Sequence, residues 1–227
     1  MKTGVFIISA PSGSGKTTLV ERLLHDVPGL HFSVSYTTRP PRGQEQNGRE
    51  YFFVNRAEFE AMIARQELLE WAIVFGNYYG TARHFLEDAR RMGKDLLLDI
   101  DVQGAGQVKD KIPEAVSIFI LPPSRDILEG RLRHRGQDSE EVIRKRLLDA
   151  SKEIYGYKQY DYILINDQVD SSAERLKAIV LTERRRRQGD SVERGSKENV
   201  AAQRLAETCL KERVQTQVDP ILASFGG

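Results

Sequence analysis

Apolar positions along this chain recur in two rhythms. The run Val5-Phe6-Ile7-Ile8-Ser9 is short, continuous and rich in β-branched residues, the pattern of a strand buried on both faces, and Pro11 and Gly13 end it. Over 17–25 the spacing lengthens: Leu19, Val20, Leu23 and Leu24 share one helical face, and Pro28-Gly29 stops the helix. A buried strand that feeds a helix through a glycine turn predicts the opening of an α/β fold. Leu96-Leu97-Leu98-Asp99-Ile100, Ser117-Ile118-Phe119-Ile120-Leu121 and Tyr162-Ile163-Leu164-Ile165 read as further buried strands. Helical text near 82–92 and over 124–151 separates them, so the sheet is expected to be parallel.

Between 32 and 81 the rhythm changes. Short alternating runs, 32–36 and 51–54, are mixed with polar turns such as Pro40-Pro41-Arg42-Gly43 and one helical segment over 56–66. Strand-rich text inside a βα pattern predicts an inserted lobe. The 124–151 segment is an arginine-rich helical hairpin with Gly136 between its arms, and Asp138 or Ser139 is expected to cap the second arm. Ser171 and Glu174 form a capping-box pattern ahead of Leu176, Ile179 and Val180. Past the basic block 184–187 the text is polar, with a modestly amphipathic helix expected around 197–214.

Composition narrows the function classes. The chain has 227 residues, enough for one sizeable core. Its 34 Lys and Arg against 33 Asp and Glu leave a net charge of +1, so no global field draws it to nucleic acid or to anionic membrane. A single cysteine, Cys209, excludes an internal disulfide framework and fits a reducing compartment. The apolar run after Lys2 is too short for a secretory signal, and no run reaches membrane-spanning length. Cytoplasmic placement is the expectation, with no nucleic-acid or membrane partner and a homo-oligomer left open. His25, His31, His84 and His134 lack metal-ligand spacing.

The glycine turn carries the first chemistry. Ala10-Pro11-Ser12-Gly13-Ser14-Gly15-Lys16-Thr17 matches the phosphate-loop pattern at its glycine, lysine and threonine end, with Ala10 at the first glycine position. Small residues let backbone N–H groups curl around a β-phosphate, and the helix start adds partial positive charge. Lys16 is placed to bridge β- and γ-phosphates, and the Thr17 hydroxyl to ligate Mg²⁺. The bland alternative is an ordinary strand–helix turn. Asp99, closing an apolar strand, suits a metal-supporting acid, directly or through water, and equally suits a polar strand end. In the inserted lobe, Arg39 and Arg42 offer two planar donor forks and Tyr51 a hydroxyl, a set that fits a phosphate monoester. Taken alone it fits a solvated turn as well. The five arginines 131, 133, 135, 144 and 146 on the hairpin likewise read as a solvated face when taken alone.

Thr37, Thr38, Arg39, Arg42, Glu45, Gly48, Tyr51 and Phe53 together resemble the signature of the guanylate kinase family. The resemblance runs from about 4 to 183 and takes in Glu70-Trp71-Ala72, the Gly76 to Thr81 run, Leu98-Asp99-Ile100-Asp101, Gln103-Gly104, Leu121-Pro122-Pro123-Ser124 and Asn166-Asp167. It implies a P-loop NTPase core of parallel sheet flanked by helices, comprising 1–31, 83–124 and 156–183. It also implies a GMP-binding lobe at 32–82, a lid at 125–155 and a C-terminal extension, 184–227, of unassigned role. The implied reaction moves the γ-phosphoryl group of ATP to GMP with Mg²⁺. By resemblance, Arg39, Arg42, Tyr51 and Tyr79 would hold the GMP phosphate, and Ser35, Glu70, Thr81 and Asp101 would read guanine. Ala10 to Thr18 with Asn166 would bind ATP. Lys16, Arg39 and the lid arginines Arg131, Arg135 and Arg146 would serve catalysis, while Arg133 and Arg144 have no counterpart. Two competitors are a scaffold module of the same fold and another phosphate-loop kinase or GTPase. The intact Gly15-Lys16-Thr17 argues against the scaffold. The acceptor signature, and the lack of an Asn-Lys-x-Asp motif, argue against the others. Because the 184–227 extension carries no implied site residue, ending the chain at Gly189 is expected to leave turnover nearly intact.

Overall fold

The computed structural model describes residues 3–74, 76–134, 139–189 and 196–226. The chain opens with β1 (Val5–Ser9), every residue buried, and passes through the glycine loop into α1 (Lys16–Asp26), whose Leu19, Val20 and Leu23 are buried. Two compact units divide the chain, and the boundary falls within β1 at Ile7.

The first unit comprises Met1–Ile7 and Gly29–Ala115. Here the strand order is β2 (Leu30–Phe32), then β7 (Asp95–Asp99), then β1. β2 and β7 are parallel, with Leu30 opposite Asp95 and Phe32 opposite Leu97. A second, four-stranded sheet has β3 (Tyr36–Thr37), β4 (Phe52–Phe53), β5 (Leu68–Val74) and β6 (Asn77–Ala82) in the order β4-β3-β6-β5. The alternating run at 32–36 is thus not one strand: it ends at Phe32 in one sheet and resumes at Tyr36 in the other. The β5–β6 hairpin was not separately predicted, and it is what places Glu70 opposite Thr81. α2 (Arg56–Ala64) starts at a capping box, Asn55 accepting from the Glu58 N–H and Glu58 from the Asn55 N–H, both at 2.9 Å. α3 (His84–Arg91) begins two residues later than its apolar pattern suggested. α4 (Val102–Lys111) is N-capped by Asp101.

The second unit comprises Ile8–Pro28 and Val116–Gly227, with strand order β1, β8 (Val116–Leu121), β9 (Tyr162–Ile165). β8 is buried throughout and runs parallel to β9. The arginine-rich hairpin is α5 (Arg125–His134) and α6 (Glu140–Glu153), followed by a 3-10 turn over Ile154–Gln159. Ser139 caps α6, while Gly136 and Asp138 lie outside the described residues. α7 (Val169–Gln188) carries Arg185, Arg186 and Arg187 of the basic block in its last turn, where cations complement the helix dipole. The capping box expected at Ser171 and Glu174 does not form: α7 starts earlier, at Val169, and the Ser171 hydroxyl donates to the Gln168 carbonyl instead, at 3.2 Å.

The single helix expected at 197–214 is two, α8 (Lys197–Glu207) and α9 (Lys211–Phe225). The break has a cause in the sheet. β9 presents its backbone to the 208–210 bend: Ile163 N–H donates to the Cys209 carbonyl at 2.7 Å, and Lys211 N–H to the Asp161 carbonyl at 3.3 Å. Those bonds cover the outer edge of β9, which would otherwise be an open template. α9 then buries Val214, Val218, Ile221 and Phe225, and packs on α5, β9 and the 3-10 turn. The C-terminal segment is therefore part of this unit's core. No described helix is long and apolar enough to cross a membrane.

Candidate active site

The donor-side residues lie in the second unit. Gly13 and Gly15 have φ of 94° and 88°, a region that penalises any side chain. A Cβ on Gly15 would also stand 2.4 Å from Asn166 Nδ2. The loop is braced from behind: Asn166, 1% exposed, donates through Nδ2 to the Ser14 carbonyl at 2.7 Å. Arg131 joins the same brace, donating to the Asn166 carbonyl at 2.9 Å and to that of Ser14 at 3.4 Å. Burial lowers the Arg131 pKa, with Asp167 opposing the shift. Lys16 opens α1, and Thr17 and Thr18 follow it exposed. No acid stands in that first turn, so the helix start stays electropositive.

The remaining predicted donor-side residues are less gathered. Arg146 is half-buried on α6. Arg135 lies outside the described residues. Arg133, which had no implied role, is taken up by Glu129 at 2.8 Å and by Glu140. Among the described residues no cluster of three or more His, Cys, Asp or Glu could hold a metal. Mg²⁺ bound chiefly by phosphates and water needs no such cluster; Thr17 is exposed at the start of α1 in the second unit, and Asp99 closes β7 in the first.

The acceptor-side residues lie in the first unit and form two groups. In the first group Arg39 is 7% exposed, its guanidinium 5.3 Å from the Tyr51 ring centroid and 5.8 Å from that of Phe53. Its Nε donates to the Tyr79 hydroxyl at 3.2 Å. Nη1 donates to the Pro40 carbonyl at 2.7 Å. Glu45 accepts from Nη1 at 3.0 Å and from Nη2 at 2.9 Å. Thr37 holds the loop's base, accepting from Arg39 N–H and donating to the Tyr78 carbonyl. Arg42 is exposed. Glu45 stood in the family signature, but its partnership with Arg39 was not read from the sequence.

The second group surrounds Glu70, 3% exposed. Burial raises its pKa to about 7; Asp101 adds to the shift, while Thr81 and Lys111 oppose it. Its Oε1 is buried without a hydrogen-bond partner. Asp101 accepts from the Gly104 N–H at 2.8 Å through Oδ1 and from Gln103 at 3.2 Å through Oδ2. α4 also grips the strand on either side of Glu70. Gln107 bonds the Trp71 carbonyl at 2.7 Å and its N–H at 3.2 Å, and Lys111 donates to the Leu69 carbonyl. Ser35, half-buried before β3, is tied in through its carbonyl, which accepts from Phe52 N–H at 2.9 Å. Gly104, Gln107 and Lys111 are supports that the sequence did not single out for function.

Residues 2–183 match the model of one protein family, described as guanylate kinase. The chain belongs to the guanylate kinase family. A guanylate kinase of Koribacter versatilis is 56% identical over 99% of this chain and 97% of its own length. One of Shewanella oneidensis is 54% identical over 79% of this chain and 87% of its own. The crystal structure of guanylate kinase from Anaplasma phagocytophilum superposes with a TM-score of 0.64 at 36% identity, covering 80% of this chain and 86% of that one. The Koribacter match continues through the C-terminal helices, beyond the end of the family model.

Proposed function

We propose that this guanylate kinase family member transfers the γ-phosphoryl group of ATP to GMP, giving ADP and GDP in purine nucleotide metabolism, and that it selects GMP through Glu70. The observation that carries the selection is the buried carboxylate with one orphaned oxygen, because a buried acceptor without a donor suits a ligand that brings one. Guanine offers N1–H and N2–H₂ to an ionised carboxylate, and an O6 acceptor to Ser35 or Thr81. Adenine lacks that donor pair and would leave Glu70 unpaired. Asp101 supports the same edge. Arg39, Arg42, Tyr51 and Tyr79 hold the GMP phosphate. On this reading 32–82 is the acceptor lobe and 125–155 the lid.

On the donor side, backbone N–H groups of residues 10–18 receive the ATP phosphates, and Asn166 holds the loop to its shape. Lys16 sits on the β- and γ-phosphates. Phosphoryl transfer spreads charge over the γ-oxygens, so catalysis consists of positioning and cationic stabilisation by Lys16, Arg39, Arg131, Arg135 and Arg146. Mg²⁺ supplies further charge neutralisation when bound, with Thr17 and Asp99 as its protein supports. The reaction needs no covalent intermediate. Cytoplasmic placement, with no nucleic-acid or membrane partner, fits this substrate pair.

A coupled assay offering GMP, dGMP, AMP, UMP and CMP with ATP and Mg²⁺ tests the reading. Turnover of GMP with AMP at least ~10³-fold poorer in kcat/KM is expected. Comparable use of AMP refutes the role of Glu70.

A further inference from the structure

We infer that Glu45 is a positioning residue for the acceptor phosphate, holding Arg39 and the Arg42 turn in phosphate-binding shape; this rests on the GMP phosphate binding at Arg39 and Arg42. A guanidinium has five N–H donors. In Arg39, Nε is spent on Tyr79, and Nη1 on Pro40 and Glu45. Nη2 gives one of its two to Glu45. One N–H of Nη2 has no partner among these bonds. Arg39 therefore does not present a free two-pronged fork; it presents a fixed charge with one donor edge.

Two behaviours of Glu45 would suit this geometry. It either occupies the phosphate's place and must be displaced, or it stays and fixes the arginine. The surroundings favour the second. Arg39 lies against the neighbouring Tyr51 and Phe53 rings and is anchored to Tyr79 and Pro40, so the phosphate must come to it. Glu45 is tied down separately from Arg39. Its Oε2 accepts the Arg42 backbone N–H at 2.7 Å, and its own N–H donates to the Arg42 carbonyl at 3.0 Å. One carboxylate thus closes the 42–45 turn and holds Arg39 at the same time. The bonds to Arg39 and to the Arg42 N–H hold its pKa below the ordinary glutamate value, against desolvation that raises it. The carboxylate stays charged at neutral pH, and its charge-assisted bonds are of the stronger kind. Freeing Arg39 and the turn would make GMP binding bear the ordering that Glu45 now provides in advance.

Steady-state kinetics of the full-length enzyme, with GMP and ATP varied separately, tests this in Glu45→Gln, Glu45→Asp and Glu45→Ala. Glu45→Gln keeps shape and places an amide donor against a guanidinium donor. It should raise KM for GMP roughly tenfold or more, with KM for ATP unchanged and kcat within about threefold. Glu45→Asp keeps the charge on a shorter arm and should fall between wild type and Glu45→Ala. Thermal melts confirm that each variant is folded, and the unchanged KM for ATP in the same preparation excludes a general loss. Variants that bind GMP as well as wild type, or more tightly, overturn the proposal while leaving the acceptor reading intact. A wild-type enzyme that does not turn over GMP overturns both.

Discussion

Substituting Gly104 with alanine should separate function from stability in this enzyme. Gly104 lies inside α4, buried and without a positive φ, so its backbone tolerates a side chain. Its surroundings do not: a Cβ there would stand 2.3 Å from Glu70 Oε2, 3.0 Å from Cδ and 3.3 Å from Asp101 Oδ1. Ordinary contact needs about 3.5 Å, so the carboxylate must retreat by about 1 Å. The far end of a side chain can do this cheaply, and alanine in a helix interior gains up to ~1 kcal/mol over glycine. Tm should therefore hold or rise by about 2–4 °C. Recognition should suffer, because a displacement of about 1 Å in a positioning group can cost ~10²-fold. We expect kcat/KM for GMP to fall by about that factor and the preference over AMP to shrink with it. KM for ATP should stay unchanged. Coupled-assay kinetics on both acceptors, beside a thermal melt, read all of this. GMP turnover within threefold of wild type would mean that Glu70 Oε2 does not need its present place. A collapsed Tm would mean that the carboxylate has nowhere to go. Either result refutes the reasoning.

Three further outcomes are expected. On the proposed role of Glu70 guanine binds its ionised form, so a pKa of about 7 should make KM for GMP fall as pH rises from 6 to 8, a trend that Glu70→Gln should flatten. The linked stability runs the other way: an acid whose folded pKa lies above its unfolded value of 4.5 stabilises most below 4.5. About 3 kcal/mol is then lost as pH rises from about 4.5 to about 7, visible in melts of the ligand-free enzyme. Lys16→Ala should lower kcat by ~10²–10³ with unchanged circular dichroism, since it removes a fixed cation at developing charge; near-normal turnover would remove Lys16 from the chemistry. Phe225→Ala should cost ~3 kcal/mol and lower Tm by about 6–12 °C, and a chain ending at Gly189 should be destabilised further, whereas an unaltered melt would show that α9 is an appendage.

That last expectation concerns stability, which the sequence reading of 184–227 left open, and the reason is physical. The apolar residues of this segment are spaced among polar ones, so its pattern predicts only a modestly amphipathic helix of unassigned role. What makes it core is the edge of β9, whose backbone takes up the 208–210 bend and swings α9 onto α5. A sheet edge in need of cover is invisible in a linear pattern. The phosphate loop was legible because strand, turn and helix start all fall within 13 residues, Val5 to Thr17, and each constrains its own neighbours. Glu70 was legible only through family resemblance: its burial depends on the β5–β6 hairpin and on the grip of α4 through Gln107 and Lys111, dozens of residues away. The two arginines were legible as a pair of donor forks in one short loop, but not the spending of the Arg39 fork on Glu45, which depends on a loop closing back on itself.

The two groups of site residues hold their ligands by different physics, and their failures should differ accordingly. On the donor side of the proposed reading the phosphates would meet backbone N–H groups and cations, and the described supports, Asn166 and Arg131, act on the Ser14 carbonyl of the loop rather than on a base. Backbone donors read charge and shape, which every nucleoside triphosphate shares, so loosening this side should lower kcat without redirecting substrate choice. On the acceptor side the proposed decisive group is Glu70, a buried carboxylate with one oxygen, Oε1, that lacks a hydrogen-bond partner. An unpaired buried acceptor discriminates by the cost it imposes on the wrong ligand, so damage there should appear first as lost selectivity between GMP and AMP. Desolvation makes that cost large and also lifts the Glu70 pKa towards 7, so the same burial that makes the site selective makes it sensitive to pH. A variant that keeps selectivity while flattening the pH response, or the reverse, would show that the two do not share this cause.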